Sequence, residues 1–289
     1  MIDEILSRLP TKSLLRFRSV SKSLCDGIGS PDFIRLHTLR SPNKLLIIIH
    51  KVRYEYGEDT KTMYTIHSQD QLSSSYTGIT PAEYPFGCIR TISGSCNGIL
   101  CVYDQLRSAI HLWNPSIRRK ATVYEHPSWD PCLAHGFGFD PVTGDYKILR
   151  ASEAGTFVYT MKTHTWREIA SPAYPVSYVN GSPCLFKITI IKGCLAVECF
   201  KDEGDDHRWI WVRNTAASWS VFELNKGERA TYGGLLVNHY AKGIRVFNPE
   251  TGVRSRLGHL IRSSFIIGFA TCIKSLELLD IYEKHNRQI

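Results

Sequence analysis

A small all-α head followed by a large all-β domain, propeller-like with hairpin repeats, is the fold class that this sequence predicts. Three observations carry it. Residues 2–28 are the only stretch that reads as consecutive short helices. Everything after about residue 43 reads as strands and turns. From residue 110 onward a strand, a polar turn and a second strand recur as a unit. The 289 residues divide on this pattern into a head over 1–40 and a body over 41–289. With 43% hydrophobic and 21% charged residues, the composition is that of a folded chain able to bury a sizeable core.

In the head, Ile2, Ile5, Leu6 and Leu9 recur at helical spacing and share one face, and Pro10 stops that helix. Thr11 or Ser13 is expected to cap a second helix carrying Leu14, Leu15 and Phe17, because a hydroxyl there can accept from the first turn's free N–H groups. Val20, Leu24 and Ile28, four apart, predict a third helix, broken by Gly27 and Gly29. Ser30-Pro31-Asp32 reads as a further helix start, with proline at the first helical position and an acid at the positive end. Helices this short cannot bury enough apolar surface to stand alone. They require a partner or the body.

In the body, Lys44–His50 is the first strand candidate, followed by a loop-rich passage from about Glu55 to Phe86. Gly94–Tyr103 sets a turn before an apolar strand. Four hairpin units then follow, at 110–120, 157–167, 209–219 and 244–254. Between them lie strands at Ile99–Tyr103, Tyr146–Arg150, Cys194–Phe200 and Leu235–Tyr240. A repeat of roughly 35–50 residues matches a four-stranded propeller blade and leaves room for five or six. Leu276–Leu279 is expected to close the ring against Leu45–Ile49. Trp113, Trp166, Trp211 and Trp219 recur at equivalent hairpin positions and are expected to pack the blades.

The net charge of +8 comes from scattered lysines and arginines, the tightest group being Arg118-Arg119-Lys120 in a turn. Nucleic-acid binding needs a clustered basic face, so no nucleic-acid partner is expected. The apolar run Leu45–Ile49 is too short to span a bilayer, and no membrane partner is expected. Nine cysteines without a Cys-x-x-Cys pair read as free thiols, and the first residues carry no secretory pattern. The expected compartment is cytoplasmic, nuclear or both.

The run Glu4-Ile-Leu-Ser-Arg-Leu-Pro-Thr-Lys-Ser-Leu-Leu-Arg-Phe-Arg-Ser-Val-Ser-Lys-Ser23, followed by Ser30-Pro-Asp-Phe-Ile34, resembles a plant F-box. Gly94–Tyr103, His111-Leu-Trp-Asn-Pro-Ser116, Gly136–Leu149 and Thr165-Trp-Arg167 resemble the kelch-like F-box-associated domain of the same proteins. The resemblance implies a head that docks onto the Skp-type adaptor of an SCF ubiquitin ligase, and through it onto cullin and RING subunits. It implies a body that recruits a target protein for ubiquitination. Carried over by position, it places Ile5, Leu6, Leu9, Pro10, Leu14, Leu15, Val20 and Leu24 at the adaptor interface. Relative to the family motif the head is N-terminally shortened, and Leu24 stands where a Trp is usual. The resemblance therefore leaves two alternatives beside the receptor: a degenerate scaffold that binds its partner without docking, and a lectin-like carbohydrate receptor.

No catalytic set is expected. Gly-x-Ser-x-Gly, His-Glu-x-x-His and a phosphate-cradling glycine loop are absent from the sequence. His111, His126, His135 and His164 make no ligand-like pair, and no metal or other cofactor is expected. Asp202, Glu203, Asp205 and Asp206 read as a hydrated acidic loop, without the ligand spacing of a calcium loop. Trp129, between His126-Pro-Ser and Asp130-Pro, is the candidate target-binding anchor because it falls in a loop.

Overall fold

The computed structural model describes residues 2–41, 45–53, 60–68, 82–86, 91–104, 108–124, 132–152, 154–169, 184–191, 194–201, 208–213, 219–224, 228–230, 236–240, 243–247, 252, 254–257 and 264–279. Between 184 and 244 the backbone alone is described.

Four helices come first: α1 (Ile2–Leu6), α2 (Thr11–Phe17), α3 (Lys22–Ile28) and α4 (Pro31–Leu39). Their boundaries follow from local chemistry. Ser21 caps α3, its hydroxyl accepting from the Leu24 N–H at 3.1 Å. Ser30 caps α4 in the same way from Phe33 at 3.3 Å, with Pro31 at the first helical position as expected. The cap expected for α2 differs: Pro10 occupies that place, Thr11 is already helical, and no side chain caps the turn. Helix α1 ends at Leu6, and Ser7–Leu9 form a turn before the proline. Val20 lies in the turn before α3 rather than on its stripe, and Gly29, not Gly27, ends that helix.

The body consists of five four-stranded antiparallel sheets among the described residues. From the inside outward, blade 2 is β4 (Thr91–Cys96), β5 (Ile99–Asp104), β6 (Ala109–Asn114) and β7 (Arg119–Tyr124). Blade 3 is β8 (Cys132–Asp140), β9 (Asp145–Ser152), β10 (Gly155–Thr160) and β11 (Thr165–Ile169). Blade 4 runs β12 (Cys184–Ile191), β13 (Cys194–Lys201), β14 (Arg208–Arg213) and β15 (Trp219–Leu224). Blade 5 runs β16 (Glu228–Ala230), β17 (Leu236–Tyr240), β18 (Gly243–Phe247) and β19 (Arg254–Leu257). The hairpin units read from sequence are the third and fourth strands of blades 2–5, and the strands between them are the second.

Blade 1 is assembled from both ends of the chain. Its order is β20 (Ser264–Cys272), β1 (Leu45–Arg53), β2 (Thr60–Ser68) and β3 (Ala82–Glu83). Leu45 pairs with Cys272 and Val52 with Ser264, with one register shift between Ile49 and His50. The ring therefore closes through 264–272 and not through 276–279. The apolar character of Leu276 and Leu279 belongs to a contact with the head instead. Strand β2 sits in the passage read as loop-rich, because its buried Thr62, Thr65 and His67 resemble surface residues in sequence.

Three cores hold the described residues together. Between blades 1 and 2, Ile47, Ile49, Tyr64, Tyr84, Ile92, Leu100, Val102 and Trp113 pack as one cluster. Trp113 anchors it, with the Tyr64 ring edge-on at 4.9 Å and the Tyr84 ring at 5.4 Å. Between blades 2 and 3, Ile99, Cys101, Ile110, Leu112, Tyr146, Ile148 and Tyr159 form the second. The tryptophans are not equivalent in position: Trp113 and Trp211 lie on third strands, Trp166 and Trp219 on fourth strands. Trp113 is buried within the first core, and Trp166, half-buried, packs against the second, its ring 5.3 Å from that of Tyr159.

Candidate docking faces

The third core belongs to the head. Leu14, Ile28, Phe33 and Ile34 meet Ile117, Leu276 and Leu279 of the body, with Leu6, Leu9, Leu15 and Leu24 packed against the rim. This contact divides the residues assigned to the adaptor interface. Leu14 is fully buried and holds the head to the body. Leu6, Leu9, Leu15 and Leu24 are half-buried, each with one flank in that core. Ile5 at 60% and Val20 at 69% exposure stand free of it, and Pro10 is also exposed.

Three further apolar side chains of the head are exposed and were not among the assigned residues: Ile2 at 69%, Phe17 at 39% and, on α4, Leu39 at 76%. Ile2 and Ile5, three apart, lie on one face of α1, and Val20 is one turn beyond Phe17, its N–H donating to the Phe17 carbonyl at 3.0 Å. The signal for Ile2 was its place in the same helical stripe. Polar bonds fix how α1 sits. The Glu4 carboxylate accepts from Arg40 at 2.8 Å and from Arg8 at 3.3 Å. Those two guanidinium groups, Arg40 foremost, hold the Glu4 carboxyl below its ordinary range. His37 lies within hydrogen-bond distance of the Leu9 carbonyl at 3.2 Å, and burial lowers its pKa.

The strand directions sort the body into two ends. The turns 97–98, 115–118, 141–144 and 161–164 share one end with the last residue of β20, and the head contacts this end through Ile117 and Leu276. The opposite end carries the ends of β5 and β7 at Asp104 and Tyr124 and the starts of β6 and β8 at Ala109 and Cys132. Trp129 connects β7 to β8 and lies outside the described residues, as does the acidic group at Asp202, Glu203, Asp205 and Asp206. The described residues that bracket Trp129 in sequence are Tyr124 and Cys132; Tyr124 is 77% exposed, with its carbonyl accepting from the Trp166 indole at 3.3 Å. Arg118-Arg119-Lys120 lies at the head end, where Lys120 sits 5.5 Å over the Phe86 ring.

Several sequence candidates are accounted for by packing. His111 stacks on Phe86 at 4.6 Å and lies 3.0 Å from the Thr122 hydroxyl. His164 approaches the Tyr159 hydroxyl at 3.1 Å, and His135 lies against Tyr103 with ring centroids 4.2 Å apart. The Asp140–Asp145 turn is a closed hydrogen-bond set: Asp140 accepts from the Val142 N–H at 3.0 Å, from Thr143 at 2.7 Å and from Lys147. Lys147, Thr143 and the Val142 amide, in that order, hold the Asp140 carboxyl well below the usual range. Cys101 and Cys272 are buried free thiols raised by burial, Cys272 to about 12. Among the described residues no three His, Cys, Asp or Glu side chains converge as metal ligands, and no helix is long and apolar enough to cross a membrane.

Comparison with known proteins places this architecture. Residues 1–36 match the F-box domain, and residues 44–220 match the F-box associated beta propeller domain. The chain belongs to the F-box protein family, with the F-box at its N-terminus followed by an F-box-associated β-propeller domain. Among its relatives is the F-box/kelch-repeat protein At3g23880 of Arabidopsis thaliana, 27% identical over 63% of this chain and 56% of that one. The F-box protein At2g21930 of the same plant is 29% identical over 52% of this chain and 38% of that one. The chain thus spans about half the length or less of these relatives. Similar solved structures include TolB from Acinetobacter baumannii, with 12% identity, 80% of this chain and 58% of that one covered, and a TM-score of 0.37. The nidogen/laminin complex gives 11% identity, 80% and 99% coverage, and the same TM-score of 0.37.

Proposed function

We propose that the chain is the substrate-recognition subunit of an SCF-type ubiquitin ligase, docking to a Skp-type adaptor through the F-box and recruiting a target protein through the propeller. The observation that carries this reading is the set of large apolar side chains, Ile2, Ile5, Phe17, Val20 and Leu39, that the head leaves exposed beside the apolar residues it packs on the body. Apolar residues left over after a core is complete mark an interaction surface. Catalysis belongs to other subunits on this reading. The chain contributes proximity, raising the effective concentration of target lysines near the conjugating enzyme. The end opposite the head, where Tyr124 and Cys132 lie, is the target-facing end. The assembly works in the cytoplasm, the nucleus or both.

The test is retention of a purified Skp-type adaptor by the full chain, with Ile5→Asp and Val20→Asp compared. Both substituted residues are exposed, so the variants are expected to keep the parent's thermal midpoint and to lose adaptor retention at least tenfold, because a charge then faces an apolar interface. Failure of the unmodified chain to retain the adaptor overturns the docking role and favours the degenerate scaffold. Leu9→Asp is a poorer probe, since Leu9 also packs on the head core and loss of binding would report unfolding.

A further inference from the structure

The Trp-Asn-Pro motif of blade 2 contains a side chain that the sheet does not need. Asn114 ends β6 and is 0% exposed. Its Nδ2 donates to the Ser275 carbonyl at 3.1 Å, the Ser275 hydroxyl at 3.0 Å and the Glu277 carbonyl at 2.9 Å. Its Oδ1 accepts from the Ser116 N–H at 2.9 Å. Both N–H groups of the amide are therefore committed to residues 275–277, and its oxygen to its own turn. The neighbouring turn grips the same segment. Gly98, at φ +84°, lies so close that a Cβ there would meet the Ile273 carbonyl at 2.6 Å and also the Ser275 hydroxyl.

The segment held in this way, Ile273–Leu279, is where the head rests. Leu276 at 0% and Leu279 at 2% exposure join Leu14, Ile28, Phe33 and Ile34 in one core. Leu278 turns the other way, into the core between blades 2 and 3. The Ser41 hydroxyl donates to the Lys274 carbonyl at 2.6 Å, and Thr38 donates to the Glu277 carboxylate at 3.3 Å. Helices of five to nine residues have no stability of their own in water, so the head takes its order from this platform.

We propose that Asn114 is a positioning residue for docking: by pinning 273–279 it sets the F-box in one orientation on the propeller. The adaptor-facing and target-facing ends are then held at a fixed separation and angle. The consequence for ubiquitin transfer rests on the function proposed above; the fixing of the head does not.

The experiment is hydrogen–deuterium exchange on the full chain, comparing Asn114→Asp with the parent. The aspartate keeps the acceptor for Ser116 but loses both donors and sets a carboxylate against two carbonyls. Exchange in α2–α4 and in 273–279 is expected to rise at least tenfold while blades 3 and 4 keep their protection. Asn114→Ala, which removes the donors without adding charge, is expected to give the same pattern. Unchanged protection of α2–α4, or a uniform loss across all blades in both variants, overturns the proposal. Ile5→Asp is the control: it abolishes adaptor retention without raising exchange. Absence of adaptor binding by the parent would sink the docking role and leave the exchange result standing.

Discussion

His50 on β1 and His67 on β2 are both without exposed surface. Burial lowers the pKa of both, and His67 falls from 6.5 to about 4, with the neighbouring His50 adding to the shift. The folded state therefore binds fewer protons than the unfolded state between these values. Stability is full above about pH 6.5 and is lost as the pH falls toward 4. The urea midpoint should fall across that window, with His37 acting in the same direction. In His67→Leu the decline should be shallower; an equally steep decline would place its source elsewhere. The Asp140 carboxyl, held low by Lys147, loses its contribution only below the ordinary carboxylate range, so the two effects separate by pH. A second residue-scale expectation concerns Leu14. Truncation to Ala should cost about 2–5 kcal/mol in chemical denaturation, since the side chain is fully enclosed. Nothing in the sequence distinguishes Leu14 from Val20. One is core and the other is surface because Ile117 and Leu276, far away in the chain, cover the first and not the second.

At the scale of elements, the hairpins were legible because their turns announce themselves. Asn97-Gly98 and the Asp140–Asp145 turn use residues that accept positive φ or bond their own backbone, and each lies between apolar runs. The innermost strands were harder. Thr91–Cys96 and Cys132–Asp140 carry glycines and small polar residues where blades approach, as at Gly94, whose Cβ would meet that of Phe137 at 2.6 Å. Such strands lack the alternation that marks a half-buried sheet. Helix caps followed the ordinary rule at Ser21 and Ser30, and Ser30→Ala should lower the thermal unfolding free energy by about 1 kcal/mol. Gly98→Ala should cost more than any cap, because positive φ and the contact with Ile273 act together. A midpoint shift no larger than that of Ser30→Ala would contradict the close packing of that turn.

For the molecule as a whole, family motifs located both domains, yet the way the ring closes was legible only in part. Partner strands for β1 had to come from the far end of the chain, and Leu276–Leu279 is the more leucine-rich segment there. The pairing went instead to Ser264–Cys272, whose Phe265, Ile266, Gly268 and Ala270 read as a weaker strand. Deleting residues 264–289 should remove the inner strand of blade 1. Near-ultraviolet circular dichroism should then lose its fixed tryptophan and tyrosine signals, as packing around Trp113 relaxes; a retained spectrum would show that the ring holds without β20.

The pairing of β1 with β20 also sets a timetable. The Leu-Leu-Ile-Ile-Ile edge of β1 emerges from the ribosome long before its inner neighbour β20, with blades 2–5 translated in between. Until β20 is made this sheet edge stays open, apolar and competent to pair with other nascent chains. The high contact order of the closure makes the final step slow. A chain with this topology should depend on chaperones during its production and should yield aggregates when translated rapidly without them, whatever its stability once the ring has shut.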